Sequence, residues 1–251
     1  MKVKTLISGS KGNCALIKTD NGNILIDCGS SYGRIKAQLK KAETALTDIN
    51  YILITHSHTD HISALATMAQ KNPQIEVFVH RNGAQELYER TGVCANTFDK
   101  EFNLGEIAVT TYRCHHDASC CTGFKISDGT DSTVYVTDTG CVDEQLIDFL
   151  ADASILILES NHDYEMLRNG IYSLPLKKRI ASQNGHLSNE QTAYLLSRAR
   201  LETVNQIILA HLSENNNLPE IAYSSAKAVL EKAGYGEKIR LLVAAQWEIC
   251  E

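Results

Sequence analysis

The sequence points to an α/β fold with a large share of sheet, and three observations carry that expectation. Short segments rich in leucine and β-branched residues crowd the first half of the chain. Strands alternate with segments of helical periodicity through the second half. Several of the apolar strands run directly into histidine, aspartate or glutamate.

Taken in order, "VKTLIS", "CALIKT" and "GNILIDCG" read as strands cut by the turn-forming stretches "GSKGN" and "DNGN". "SYGRIKAQLKKA" has helical spacing that places Ile35, Leu39 and Ala42 on one face. "INYILIT" is a buried strand, and "SALATMAQK" reads as a helix with Ser63 as its N-cap. "IEVFVH" is a strand and "NGAQELYER" a helix. "IAVTTYRC", "CTGFKIS" and "STVYVTD" are strands in the middle of the chain. Then the alternation sets in, with helix "DEQLIDFLA", strand "SILILES", helix "SNEQTAYLLSRAR" and strand "NQIILAH". Helix "EIAYSSAKAVLEKAG" and a strand near "KIRLLVA" complete it. Two sheets flanked by helices satisfy this order, but periodicity by itself reaches only α/β.

Composition bounds the rest. The chain has 251 residues, 43% of them hydrophobic, with three prolines and no low-complexity linker. One compact domain over residues 1–251 is expected. A net charge of −6 offers no global attraction to nucleic acid or anionic membrane, so a polyanionic substrate has to be held locally. The apolar stretch in "MKVKTLISGSKGN" is too short for a signal peptide, and no apolar run approaches the roughly 18 residues of a membrane span. A cytoplasmic chain with reduced thiols and no membrane partner is expected, while nothing bears on oligomeric state. The eight cysteines lack CxxC spacing and read mostly as small core residues.

The site announces itself at "THSHTDH", residues 55–61, where three of the nine histidines fall within six positions. Five strands end in metal-binding residue types: at His56, at His115 and His116, at Asp138, at Glu159 with Asn161 and His162, and at His211. Loops at one edge of a sheet are where chemistry collects. His56 and His58, two apart, can point the same way in an extended segment, and Asp60 and His61 can face a second position. Four donors are too many for one catalytic ion, which takes about three protein ligands and keeps a position open. Two adjacent ions fit better, and His116, Asp138 and His211 supply the remaining donors. Asp138, with two carboxylate oxygens, is the natural bridge.

"THSHTDH" resembles the HxHxDH motif of the metallo-β-lactamase superfamily, and "CHHDAS", "VTDTG" and "LAHLSENNN" follow in that superfamily's order. "SGSKGN", "HDA", "ESNHD", "LKKRIASQNGHLSN" and "HLSENNN" are similar to its WalJ (YycJ-like) branch. The resemblance covers nearly the whole chain. It implies a four-layer αββα sandwich, two divalent ions (zinc, manganese or iron) and hydrolysis of phosphodiesters, with DNA as substrate. It selects His116 rather than His115 as the ligand. One ion is then expected on His56, His58 and His116, the other on Asp60, His61 and His211, with Asp138 between. Asp60 or His186 would protonate the leaving oxygen. Substrate contacts are expected from Ser10, Asn13, Asn161 and His162, and from Lys177 and Arg179, which with Lys178 and Arg168 would make a basic patch.

His80, His115, Cys120 and Cys121 read as structural. Competing activities on the same fold are a glyoxalase II-like thioesterase, a β-lactamase and a cyclic phosphodiesterase. A diiron redox module is disfavoured because His56, His58 and His61 are all present, and there is no room for a large inserted domain between Asp138 and His211.

Overall fold

The computed structural model describes residues 1–251. The first sheet runs in chain order: β1 (Lys2–Ile7), β2 (Cys14–Thr19), β3 (Gly22–Ile26), β4 (Ile49–Ile54), β5 (Glu76–His80) and β6 (Asn96–Phe98). The second holds β7 (Glu101–Leu104), β8 (Ile107–Arg113), β9 (Thr122–Ser127), β10 (Ser132–Val136), β11 (Ile155–Glu159), β12 (Gln206–Ala210) and β13 (Arg240–Val243), again as sequential neighbours. Helices α1 (Tyr32–Lys41), α2 (Thr59–Ile62), α3 (Leu65–Lys71) and α4 (Ala84–Thr91) interleave with the first sheet. The second sheet has α5 (Glu144–Phe149), α6 (Tyr164–Asn169), α7 (Leu174–Ile180), α8 (Asn189–Arg198) and α9 (Pro219–Lys232).

The alternation of side chains along the strands builds the layers. Ala15, Ile17, Ile24, Ile26 and Leu53 meet Phe124, Ile157, Ile208 and Ala210 in a core between the sheets. Their neighbours Leu16, Leu25, Ile52 and Ile54 turn the other way, onto Ile35 and Leu39 of α1 and Met68 of α3. Leu156, Leu158, Ile207 and Leu209 likewise pack on α5, α8 and α9. A strand buried on both faces must be apolar at every position, which is why "ILIL" and "IIL" carry no polar alternation. The result is the four-layer sandwich, helices outside and two sheets within.

Strand direction then sets the site. β3, β4 and β5 are parallel, as are β10, β11, β12 and β13. β8 and β10 each run antiparallel to β9, so they too share a direction. Their C-terminal ends emerge at a common edge. There two loops dock on α2: Cys28 N–H, after β3, donates to the His61 carbonyl, and Asn13 N–H, between β1 and β2, to that of Asp60, both at 2.8 Å. A Cβ on Gly29 would stand 1.5 Å from the Asp60 carbonyl oxygen, so only glycine permits this approach.

Two expectations change. Ser63 is not an N-cap: its backbone is helical, at the end of α2, and its hydroxyl donates to the Thr59 carbonyl. The stretch from Tyr164 to Ile180, read without elements, forms α6 and α7. No helix is long and apolar enough to cross a membrane.

Candidate active site

Asp27 follows β3, Thr55 and His56 follow β4, Asp138 follows β10, Glu159 ends β11 and His211 follows β12. Asp27, Asp138 and His211 hold left-handed backbone, at φ 60°, 59° and 58°. Asp and His enter this region more readily than branched residues, yet the conformation stores strain that the surroundings must hold in place. The turn keeps each side chain at the sheet edge.

His56, His58 and His116 bring imidazole nitrogens within 4.8 Å of one another, and a carboxylate oxygen of Asp60 with nitrogens of His61 and His211 forms a second group as close. Asp138 stands between them. Its Oδ2 lies 3.4 Å from His61 Nε2, and its Oδ1 lies 3.8 Å from His116 Nε2. Behind the cluster, His61 Nδ1 faces Asp27 Oδ2 at 2.7 Å, His211 Nδ1 faces Glu159 Oε1 at 2.9 Å, and His116 Nδ1 faces the Gly185 carbonyl at 3.1 Å. An acceptor at such a distance puts a proton on Nδ1 and turns Nε2 inward. His56 Nε2, His211 Nε2 and Asp138 Oδ2 are buried without any hydrogen-bond partner. Orphaned buried polar atoms are costly. Three of them, all of metal-ligand type and all in one cluster, fit a dinuclear metal centre.

Charge divides the cluster. Burial pushes His56 well below the ordinary imidazole range, and the neighbouring imidazoles add to it. Burial, then His116, lowers His58. Burial also presses on His61 and His211, but carboxylates outweigh it. Asp138, Asp27 and Asp60 raise His61, while Asp138 and Glu159 carry His211 up to about 9. Burial opposes ionisation of Asp60, Asp138 and Glu159, yet their imidazole partners hold all three below the usual carboxylate range.

A cleft of about 240 Å³ opens over His58, Asp60, His116, Asp138 and His211. Ser10, Asn161 and Arg179, three of the expected substrate residues, line it with His186, Tyr172, Leu176 and Ile180. His186 Nδ1 bonds Glu159 Oε1 at 2.8 Å. Arg179 is aimed by Asp117, whose carboxylate takes Nε at 2.5 Å and Nη2 at 3.1 Å.

The other expected substrate contacts sit elsewhere. Lys177 Nζ donates to the Arg168 carbonyl at 2.8 Å, away from the cleft lining, and Arg168 itself pairs with Glu165 at 3.5 Å. The basic patch therefore reduces to Arg179 at the cleft. Asn13 is buried, bonded to the Gly9 backbone at 3.1 and 3.2 Å and to His61 Nε2 at 3.1 Å, so it braces the loop. His162 is buried beside α8: its carbonyl takes the Asn189 N–H at 2.8 Å, and burial lowers its imidazole to about 4. His115 bonds Asp143 at 2.8 Å, and His80 accepts from Asn82 N–H at 3.1 Å. All eight cysteines are unpaired and five are buried. Cys121 lies beneath the cluster, its Sγ 3.6 Å from His56 Nδ1.

Sequence reasoning gave no role to Asp27, Glu159, Asp117 or Tyr172. For Asp27 and Glu159 the signal was present, since each sits at a strand end just as the expected ligands do. Asp117, next to His116 after β8, carried the same mark, whereas Tyr172 had none.

A four-layer sandwich with paired buried imidazole and carboxylate clusters at the strand ends is the framework of a metal-dependent hydrolase. Residues 22–212 match the Beta-lactamase superfamily domain, and the chain belongs to that superfamily. It is 34% identical to the exodeoxyribonuclease YycJ of Bacillus anthracis, over 92% of this chain and 89% of that one. It is 32% identical to the exodeoxyribonuclease WalJ of Streptococcus pneumoniae, over 94% and 90%. The crystal structure of Zn²⁺-bound PqqB from Methylobacterium extorquens shares the fold, with a TM-score of 0.73 at 17% identity and 100% coverage of both chains.

Proposed function

We propose that this chain, read as one domain over residues 1–251, is a phosphodiesterase that digests DNA from its ends. Its similarity to two exodeoxyribonucleases over 92% and 94% of its length carries the reading. His56, His58 and His116 would hold one divalent ion, and Asp60, His61 and His211 a second, with Asp138 shared. Such ions, whether zinc, manganese or iron, supply charge neutralisation at the phosphate and a hydrolytic nucleophile at neutral pH.

The chain's own groups do the positioning. Glu159 holds the Nδ1 sides of both His186 and His211. A protonated His186 keeps Nδ1–H on Glu159 and offers Nε2–H to the leaving oxygen. Asp60 is the poorer acid, since as an expected ligand of the second ion its carboxylate would carry no proton to give. Arg179, fixed by Asp117, presents its remaining N–H donors to a neighbouring phosphate. The cleft, about 240 Å³, falls below the ~300 Å³ at which ligand pockets commonly begin. A polymer therefore has to lie largely outside it.

The test is hydrolysis by protein loaded with Mn²⁺, Zn²⁺ or Fe²⁺. End-labelled duplex DNA, single-stranded DNA, RNA, bis-p-nitrophenyl phosphate and a thioester are the substrates. Release of short products from DNA ends is expected. Intact DNA with every metal, beside rapid thioester hydrolysis, would replace this reading with a glyoxalase-like one.

A further inference from the structure

The segment from Ile171 to Ile180 forms one lip of the cleft, and its exposure is out of keeping with its composition. Ile171 is 88% exposed and Leu174 72%, while α7 buries no residue at all. Isolated exposed aliphatics are ordinary, but a cluster at the mouth of a site marks a binding surface.

The helical period gives the lip two faces. Leu176, Arg179 and Ile180 line the cleft, joined by Tyr172 from the preceding loop. Leu174 and Lys178, four apart, lie on the opposite side and are exposed. Each face thus pairs apolar surface with a cation, Arg179 inside and Lys178 outside. Apolar surface beside a cation suits a nucleic-acid strand, which offers bases and phosphates together.

The lip is also stiffly mounted. The His186 N–H donates to the Ile180 carbonyl at 2.9 Å, so the end of α7 is tied directly to the proposed acid. A Cβ on Gly140 would meet the Ser182 carbonyl at 2.3 Å and Gly185 N at 2.4 Å, so the turn after α7 is packed hard against the loop that follows Asp138. Lys177 grips the Arg168 carbonyl at 2.8 Å, and the Tyr172 hydroxyl accepts from Asn215 Nδ2 at 2.9 Å.

We propose that α7 and Ile171 form a strand-separating wedge for the end of a duplex. The strand to be cut passes along the inner face, by Tyr172 and Arg179, while Ile171 and Leu174 press on the terminal base pair and Lys178 meets the phosphates of the displaced strand. The inference rests on the nuclease reading above and adds duplex ends to it as the substrate class.

The test is the double variant Ile171→Ser with Leu174→Ser, both exposed positions whose change leaves the core untouched. Rates are compared on a blunt duplex and on the same labelled strand alone. The duplex rate should fall about tenfold, the factor for one base-pair step of ~1.4 kcal/mol. The single-strand and bis-p-nitrophenyl phosphate rates should stay at wild-type level. Without catalysis, in chelator, a 2-aminopurine at the duplex terminus on the uncut strand should brighten on binding wild type and not on binding the variant. Equal losses on both DNAs, or an unchanged duplex rate, would overturn the wedge while leaving the nuclease reading intact. So would sedimentation showing a wild-type dimer that the variant breaks, with the duplex-to-single-strand ratio unchanged. A wild type that cuts no DNA but turns over the small phosphodiester would overturn the nuclease reading, and the wedge with it.

Discussion

Glu159 shows how much of the site lies behind its inward-facing atoms. Fully buried, it takes His186 Nδ1 and His211 Nδ1 on one oxygen, and the Thr139 and Leu187 N–H groups on the other, at 2.8 to 3.1 Å. Glu159→Gln keeps the shape but replaces the carboxylate by an amide that must donate as well as accept. Loss of such a partner usually costs about 10–100-fold in metal affinity or activity, so turnover should drop by that order with the fold intact by circular dichroism. Wild-type turnover would show that His186 and His211 need no anchor. Asp138→Ala should act more severely. Its carboxylate approaches both groups, and its Oδ2 is among the orphaned atoms. Metal content by elemental analysis should fall at both sites and hydrolysis should cease. Full activity would place the bridge elsewhere.

The strand-end pattern was legible because a strand buried on both faces must be apolar until it leaves the sheet. The first polar residues after "NYILI" or "IIL" are therefore conspicuous. The same logic covers Asp27 after "GNILI", which drew no attention because no histidine follows it. The short helices were harder to read. α6 and α7 bury one residue between them, Leu167, so no apolar stripe marks them. Caps were uneven as well. Ser188 caps α8, with Gln191 completing a capping box, whereas Ser63 does not cap α3. Asp143 is a cap that also ties α5 to the sheet. Its Oδ1 takes Leu146 N–H at 2.7 Å and the Tyr112 hydroxyl at 3.2 Å, and its Oδ2 takes His115 Nε2 at 2.8 Å. Asp143→Ala should cost about 1–2 kcal/mol in chemical denaturation of the metal-free protein. Burial opposes ionisation of Asp143, but His115, Leu146 and Tyr112 outweigh it and hold its carboxyl below the usual range. A depressed carboxyl contributes stability above its unfolded pKa of ~3.9 and loses it as pH falls through the folded value. The gap between wild type and Asp143→Asn should therefore shrink on going from about pH 5 to about pH 3. A constant gap would assign the effect of Asp143 to packing.

Both sheets contribute to the cluster, His56 and His58 from the loop after β4, Asp60 and His61 from α2, and His116, Asp138 and His211 from loops of the second sheet, so metal binding would clamp the two halves together. In the metal-free chain the clamp is held by protons instead. His211, raised to about 9, and His61, raised by Asp138, Asp27 and Asp60, carry charge at neutral pH, while His56 and His58 are neutral already. A metal ion needs neutral imidazole, so binding at pH 7 has to expel protons from His61 and His211. Affinity should rise with pH through about 9, where His211 loses its proton unaided. Zinc added to metal-free protein at pH 7 with an indicator dye should release at least two protons per chain, and fewer at pH 10. The same addition should raise the melting temperature. A ligand at a hundred times its Kd stabilises the folded state by ~2.7 kcal/mol, or ~5–10 °C for a chain of this size. In Asp138→Ala both responses should shrink together. Proton release without a thermal shift would mean that zinc binds outside the junction of the sheets. A thermal shift without proton release would mean that His61 and His211 are neutral before the metal arrives, and that the carboxylates around them face the cluster unpaired.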